Sequence, residues 1–222
     1  MLKKLILFLL MVIPYGMVYP QGYICEREGA RLEYVRKEVR DGGFRWRHVL
    51  TVTRSEDSGP FRTITTSSAF LKNNGKPLYK SDVMERFTVK ADDVSADMGE
   101  AMASYVKARV GLNATGSGTL SVLPADMQPG DTLTPVVART KVGPFTYSVK
   151  VWDRKVLREE TVSVPAGTFR CVVVEEHKIE SGPGHHREVT NLTWYSKGVG
   201  YVRHDTFING VPDTSEILYS IE

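Results

Sequence analysis

The chain has 222 residues, enough for one large domain or two small ones, and its composition excludes several classes of protein. With 41% apolar and 25% charged residues, it fits neither a disordered chain nor a polytopic membrane protein. The formal net charge of +3 includes Lys3 and Lys4, which belong to the leader described next. The rest of the chain is therefore close to neutral, and we expect no nucleic-acid partner.

The first residues have the pattern of a secretory signal peptide. Residues 1–4 form a short basic start, and residues 5–13 are nine apolar residues that end before Pro14. A membrane-spanning helix needs roughly 20 apolar residues, so the run is too short for one. We predict a signal peptide at residues 1–21 and a single exported domain at residues 22–222. The expected location is the periplasm or cell envelope, with peripheral association or full secretion left open.

From residue 31 onward, the pattern is typical of an antiparallel all-β domain. Short stretches rich in Val, Thr, Tyr and Phe alternate with turn residues such as Gly, Pro, Asn and Asp. A turn is predicted at residues 55–60. The predicted strands cover residues 31–39, 44–52, 61–71, 76–89, 114–123, 136–141, 146–164, 168–179, 188–195, 199–207 and 216–221.

One segment has helical spacing instead. Apolar residues such as Met98, Met102 and Val106 recur every three or four positions. Asp97 and Glu100 have the spacing of a capping box, in which each side chain accepts a hydrogen bond from a backbone N–H at the start of a helix. We therefore predict one short helix over residues 97–110.

The strand predicted at residues 168–179 has apolar residues on both faces. Phe169 and Cys171 lie on one face, whereas Val172 and Val174 lie on the other. A sheet with one solvated face would alternate more cleanly. We infer an antiparallel barrel or curved half-barrel whose outer face is partly covered, with a β-sandwich as the alternative.

No pattern of residues indicates catalysis, a metal or a cofactor. His185 and His186 are adjacent in a Gly-rich turn, where two histidines rarely complete a metal site. No serine lies in a Gly-x-Ser-x-Gly turn. The basic residues at 36–47, including Arg36, are interpreted as a solvated hairpin. We predict a protein that is not an enzyme.

The two cysteines, Cys25 and Cys171, leave alternatives open. In an exported protein they are candidates for a disulfide that closes a long loop. In the alternative, Cys171 is a buried free thiol within a strand. Lipidation of Cys25 is disfavoured because the bulky Ile24 precedes it.

Four motifs together resemble a known family. They are Glu-Thr-Val-Ser-Val-Pro-Ala-Gly-Thr-Phe-Arg-Cys at 160–171, Thr-Trp-Tyr-Ser-Lys-Gly-Val-Gly-Tyr-Val-Arg at 193–203, an opening strand at 28–34 and a loop at 123–133. In this order they resemble the TapB family of exported Bacteroidetes proteins, also described as domain-of-unknown-function-3108-like. The resemblance implies an exported, single-domain barrel or half-barrel similar to lipoprotein carriers. It implies no activity.

The resemblance and the aromatic strands suggest a function. Aromatic side chains alternate along residues 44–52 and 145–151. Our hypothesis is non-enzymatic binding of an apolar or amphipathic, lipid-like ligand, with the helix as a plug or lid. The alternative is a structural or adhesive module that binds protein or polysaccharide through loops such as 181–187 and 209–215. The candidate cavity-lining residues are Trp46, His48, Phe145, Tyr147 and Trp194.

Overall fold

The computed structural model describes residues 21–222, so the predicted signal peptide lies outside the described residues except for its last position. The described chain forms antiparallel strands and one helix. The elements are β1 (Arg31–Glu38), β2 (Phe44–Ser58), β3 (Phe61–Leu71), β4 (Val83–Lys90), β5 (Asp93–Asp97), α1 (Met98–Val110), β6 (Thr115–Gly118), β7 (Leu120–Leu123), β8 (Thr132–Leu133), β9 (Val136–Val142), β10 (Phe145–Val164), β11 (Gly167–Gly182), β12 (His185–Ser196), β13 (Gly200–Ile208) and β14 (Val211–Ile221).

The strands follow one another in a single sheet that closes almost completely into a barrel. Their order is β6-β9-β10-β11-β12-β13-β14-β1-β2-β3-β4-β5-β7, and β8 pairs with β10 outside this path. The two strands at the ends of this order, β6 and β7, are consecutive in the chain and separated only by Thr119. The prediction of an antiparallel barrel is confirmed, and the chain does not form the alternative β-sandwich.

Thr119 connects the two edges of the sheet. Its N–H donates to the carbonyl of Val137 at 2.9 Å, and its carbonyl accepts from the N–H of Met98 at 3.2 Å. Its hydroxyl also accepts from the N–H of Val137 at 3.0 Å. We call residues 115–123 the closing segment, because its first half pairs with β9 and its second half with β5.

Three glycines allow the start of α1 to lie directly on the closing segment. A Cβ atom at Gly116 would lie 1.8 Å from the carbonyl oxygen of Gly99, and one at Gly118 would lie 2.7 Å from the Gly99 nitrogen. A Cβ atom at Gly99 would in turn lie 2.5 Å from the backbone of Ser117. Backbone atoms cannot rotate away, so only glycine fits at these positions.

The predicted helix is confirmed, and its ends have clear causes. The Asp97 side chain accepts from the N–H groups of Gly99 at 2.8 Å and Glu100 at 3.0 Å. Glu100 does not complete the capping box by accepting from the N–H of Asp97. Its carboxylate instead lies 3.6 Å from the guanidinium of Arg86. Gly111, with φ of 78°, ends the helix and donates to the carbonyl of Lys107.

The core has two parts, and β11 is buried on both faces. Cys171 and Val173 belong to the larger cluster, which also contains Tyr34 and Leu218. Val172 and Val174 belong to a smaller cluster with Met127. The two-sided apolar pattern of this strand therefore reflects packing on both faces, and Met127 of the loop between β7 and β8 packs against the face of Val172 and Val174.

The N-terminal residues of the domain pack into the core. Tyr23, Ile24 and Cys25 are buried, and the carbonyl of Gly22 accepts from the N–H of Gly198 at 2.8 Å. These contacts tie the start of the domain to the turn between β12 and β13. Within residues 21–222, no helix is long and apolar enough to cross a bilayer.

Three strand predictions need correction. Residues 76–82 form no strand, because β4 begins at Val83. The turn predicted at 55–60 is limited to residues 59 and 60. β2 continues to Ser58, which still pairs with Phe61 of β3. The single strand predicted at 114–123 is two strands, which pair with different edges of the sheet.

We expect Gly116→Ala to lower the free energy of unfolding by about 2 to 3 kcal/mol, because the new methyl group would overlap the backbone of Gly99. Denaturant unfolding measures this change. Ser117→Ala is the matched control: it lies on the same exposed strand and should change stability by less than about 0.5 kcal/mol. Equal stability of the two variants would show that the glycine contact does not matter.

Candidate functional site

The barrel contains a cavity of about 320 Å³ that is partly open to solvent. Strands from all around the sheet contribute to its wall, from Tyr34 of β1 and His48 of β2 to Tyr201 of β13. Much of the wall is apolar or aromatic. These side chains include Tyr34, Leu50, Phe87, Ala96, Met98, Leu123, Val136, Val151, Tyr195, Val199 and Tyr201.

One side of the cavity is polar. Thr66 and Glu85 lie directly opposite each other on β3 and β4, and His48 lies on the neighbouring β2. The Thr66 Oγ1 and His48 Nε2 atoms are buried and have no hydrogen-bond partner. The nearby hydroxyl of Ser68 is also buried without a partner. We call His48, Thr66 and Glu85 the polar wall.

Glu85 has no ion pair or side-chain hydrogen bond within residues 21–222. Burial raises the pKa of its carboxyl group, and the nearby His48 lowers it in part. The side chain is only partly buried by surface area, although its pKa responds as that of a deeply buried group. Both observations agree if the accessible surface of Glu85 faces the cavity rather than the outer solvent.

Arg36 and Glu216 form a buried ion pair beside the polar wall, and each nitrogen of the guanidinium group has a hydrogen-bond partner. The Arg36 guanidinium lies 3.1 Å from Glu216, and it also donates to the hydroxyls of Thr206 at 2.8 Å and Thr214 at 2.7 Å. It lies over the ring of Trp46 at 4.9 Å. This corrects the interpretation of Arg36 as part of a solvated hairpin, because its side chain points into the core.

The ion pair also orients His48. The Nδ1 atom of His48 lies 3.4 Å from Oε1 of Glu216 and 3.0 Å from the hydroxyl of Tyr201. The Nδ1 atom is therefore the ring nitrogen that meets both groups.

Two buried groups have strongly lowered pKa values. Burial alone would raise the pKa of Glu216, but the hydrogen bond and charge of His48 and the charge of Arg36 lower it to about 2. Burial lowers the pKa of His204 to about 3, with a further contribution from Arg36. Both groups therefore make the folded protein more stable against unfolding at neutral pH than in acid.

The far side of the cavity carries a second pair of charges. The Nε atom of Arg154 lies 3.4 Å from Glu176, and Arg154 also donates to the carbonyl of Thr134 at 2.9 Å. Asn191 donates to the other oxygen of Glu176 at 3.5 Å. The two charges balance each other, so Glu85 is the carboxyl group on the cavity wall that has no ion-pair partner among residues 21–222.

Of the five predicted lining residues, only His48 contacts the cavity among the residues that the structure describes. Trp46 lies above Arg36 and donates to Glu216 at 3.4 Å. Trp194 is buried in the larger core cluster and donates to Glu160. Phe145 is 51% exposed, and Tyr147 packs against Gly182. Trp46 shares a face of β2 with His48 but lies two residues away, beside Arg36; for the residues of β10 and β12, alternation did not indicate which face lines the cavity.

Both cysteines are free and buried in the same hydrophobic cluster. Burial, and to a lesser extent the charge of Glu160, raises the pKa of Cys171 to about 11, so the thiol is unreactive at neutral pH. The Cys25–Cys171 disulfide stays a prediction.

A second groove of about 520 Å³ lies between the loop after β7, the N-terminal residues and β11. It is larger, but several of its side chains are exposed and charged, including Asp126, Arg170 and Lys197. It has the character of an open surface groove. Among residues 21–222, no group of His, Cys, Asp and Glu is arranged to hold a metal ion.

A protein-family model described as DUF3108-like matches residues 28–211, which is most of the chain. The chain belongs to the DUF3108-like family. No curated protein matches it significantly. The resemblance found in the sequence motifs is therefore confirmed for this family.

Solved structures share the fold of this DUF3108-like chain. One is a protein of Bacteroides fragilis that is described as a proposed exported protein with a YmcC-like fold. It superposes with a TM-score of 0.75 and 20% sequence identity, and the match covers 91% of this chain and 99% of the other. A proposed lipoprotein of Parabacteroides distasonis gives a TM-score of 0.74 at 15% identity over 92% and 100%. Identities this low establish the fold alone.

We expect His204 to lower the free energy of unfolding by about 2 kcal/mol between pH 7 and pH 5, whereas Glu85, whose pKa is raised by burial, acts in the opposite direction. Unfolded His204 takes up a proton near its ordinary pKa of 6.5, whereas the buried ring does so only near 3. Glu216 adds to the loss only below its ordinary value of 4.5. Urea unfolding at the two pH values measures the difference.

His204→Asn should remove most of this pH dependence, because an amide can keep the hydrogen bond to Thr193 without titrating. His186→Asn, at the exposed start of β12, is the control and should lose as much stability between the two pH values as the original chain. The explanation fails if the His204 variant retains the full loss.

For the cysteines, we expect protein taken from its oxidising compartment to show no free thiol in denaturant without reductant. Protein made in a reducing cytosol should show two, which provides the control. Two free thiols in the protein from the oxidising compartment would refute the disulfide.

Proposed function

We propose that this chain is an exported protein of the cell envelope that binds a small apolar or amphipathic ligand inside its barrel and catalyses no reaction. The observation that carries the proposal is the interior cavity of about 320 Å³. It combines a largely apolar wall with a few polar groups, which is the composition of small-molecule sites.

The size of the cavity supports an occupant. Protein interiors contain few voids larger than a water molecule. A cavity of this volume with polar groups on its wall holds water when no ligand is bound, and an apolar ligand gains free energy by displacing that water from the apolar side chains.

Export and envelope location have separate support. The basic start and the apolar run at residues 5–13 predict a signal peptide. The two structures that share the fold are described as a proposed exported protein and a proposed lipoprotein. Peripheral association with the envelope is compatible with these features.

The cavity can be tested with octanol, whose nine non-hydrogen atoms suit its volume. We expect calorimetry to show saturable binding to the purified full chain with a negative heat-capacity change, because apolar surface is buried. Val136→Phe should weaken binding at least tenfold, since Val136 lines the cavity and the larger ring would fill part of it.

Val137→Phe is the matched control. Val137 is the next residue on β9 and is 38% exposed, so the same change in size should leave octanol binding within about twofold. If octanol does not bind, or both variants bind as the original chain does, the interior is not a ligand site. The alternative of a structural or adhesive module would then be favoured.

A further inference from the structure

We propose that Tyr23 limits the length of the apolar ligand, because its side chain closes the barrel cavity toward the groove beside β11, which we call the outer groove. This inference rests on the proposed function, since it concerns the same cavity. Its evidence is that Tyr23 lines both the cavity of about 320 Å³ and the outer groove of about 520 Å³. Among residues 21–222, no other residue lines both spaces.

The neighbours of the Tyr23 ring come from both spaces. Its centroid lies 6.5 Å from that of Tyr195, which lines the cavity, and the two rings meet edge to face. The Nζ atom of Lys197, which lines the outer groove, lies 5.7 Å from the Tyr23 centroid. Burial raises the pKa of Tyr23, and the charges of Glu159 and Asp126 in the outer groove raise it further. The ring therefore lies between the cavity and the outer groove.

Tyr23 belongs to an irregular segment and not to a strand of the barrel. The carbonyl of the preceding Gly22 accepts from the N–H of Gly198, and Tyr23 itself is only 6% exposed. Because no strand passes at this point, the side chain of Tyr23 forms the wall. A smaller side chain should open this wall and leave the hydrogen bonds of the sheet intact.

The outer groove is apolar where it meets Tyr23. Tyr23 belongs to the smaller core cluster together with Met127 and Val172, which line the outer groove. The charged residues of the groove, such as Arg170 and Lys197, are exposed. A ligand chain that takes the place of the ring would therefore contact apolar side chains, and the cavity and this part of the groove would form one longer site.

The test measures the binding of straight-chain alcohols with six to twelve carbons to the purified full chain by calorimetry. At about 30 Å³ for each water-sized unit, the cavity holds about ten non-hydrogen atoms, which corresponds to nonanol. Burial of a methylene tightens binding about fourfold. We expect this gain for each carbon up to nonanol and a gain of less than about twofold for each carbon beyond it, because the added methylenes meet Tyr23 or stay in water.

Tyr23→Ala should extend the full gain to about dodecanol, since the chain can then continue into the outer groove. Tyr23→Leu keeps more of the packing and should move the limit by about one carbon. Phe169→Ala is the matched control: it also removes an aromatic ring from the outer groove, but Phe169 does not line the cavity, so the limit should stay near nonanol. Thermal unfolding checks that each variant is folded.

The outcomes separate this inference from the proposed function. A full gain through dodecanol in the original chain would overturn the inference, because Tyr23 would then set no limit. A limit that stays near nonanol in both Tyr23 variants, or that moves equally in Phe169→Ala, would overturn it as well. In each of these cases octanol still binds, and the proposed function stands. Absence of binding by every alcohol would overturn both.

Discussion

The closing segment, residues 115–123, has to pair with both edges of the sheet, and the interior of the protein depends on this constraint. Each half of the segment is only four residues long, so neither edge is held by many hydrogen bonds. Thr119 bonds to both sides, and the backbone contact between Gly99 and Gly116 fixes α1 against the join. Without this join the sheet would have two free edges, and the cavity would be an open groove. The helix therefore stabilises the closure of the barrel more directly than it covers the cavity.

Closure also explains how the barrel tolerates so many polar residues inside. Strands from distant parts of the chain bring Arg36 next to Glu216, and Arg154 next to Glu176. A buried pair of this kind adds little net stability, but breaking it by removing one partner typically costs about 3 to 5 kcal/mol. The paired charges therefore act as fixed structure, and they hold His48 in one orientation. Glu85 stands apart because the same sheet provides it with no partner, and that difference singles out one part of the cavity wall.

Much of the fold was predictable from the sequence, whereas the site was largely not. Periodicity and turn residues placed the helix and most strands, since these depend on local propensity and alternation. The residues that matter at the cavity were missed because pairing between distant strands decides which side chains meet. A signal was present in the inward positions: Arg36 follows Leu32 and Tyr34 at a spacing of two, and Glu85 lies between Val83 and Phe87. A charged residue in an apolar row of a strand indicates either an interior partner or a site. Aromatic content alone was a misleading signal for the cavity wall, because Phe145 lies on the surface and Trp194 packs in the core.

The central claim is that the barrel has an accessible interior, and methyl NMR tests it most directly. With labelled valine and leucine methyl groups, octanol should shift the signals of Leu50, Val136 and Val151, which lie on three different strands around the cavity. The exposed methyl groups of Val137 and Val211 should remain unchanged. Shifts confined to exposed methyl groups, or no shifts at saturating octanol, would contradict the account.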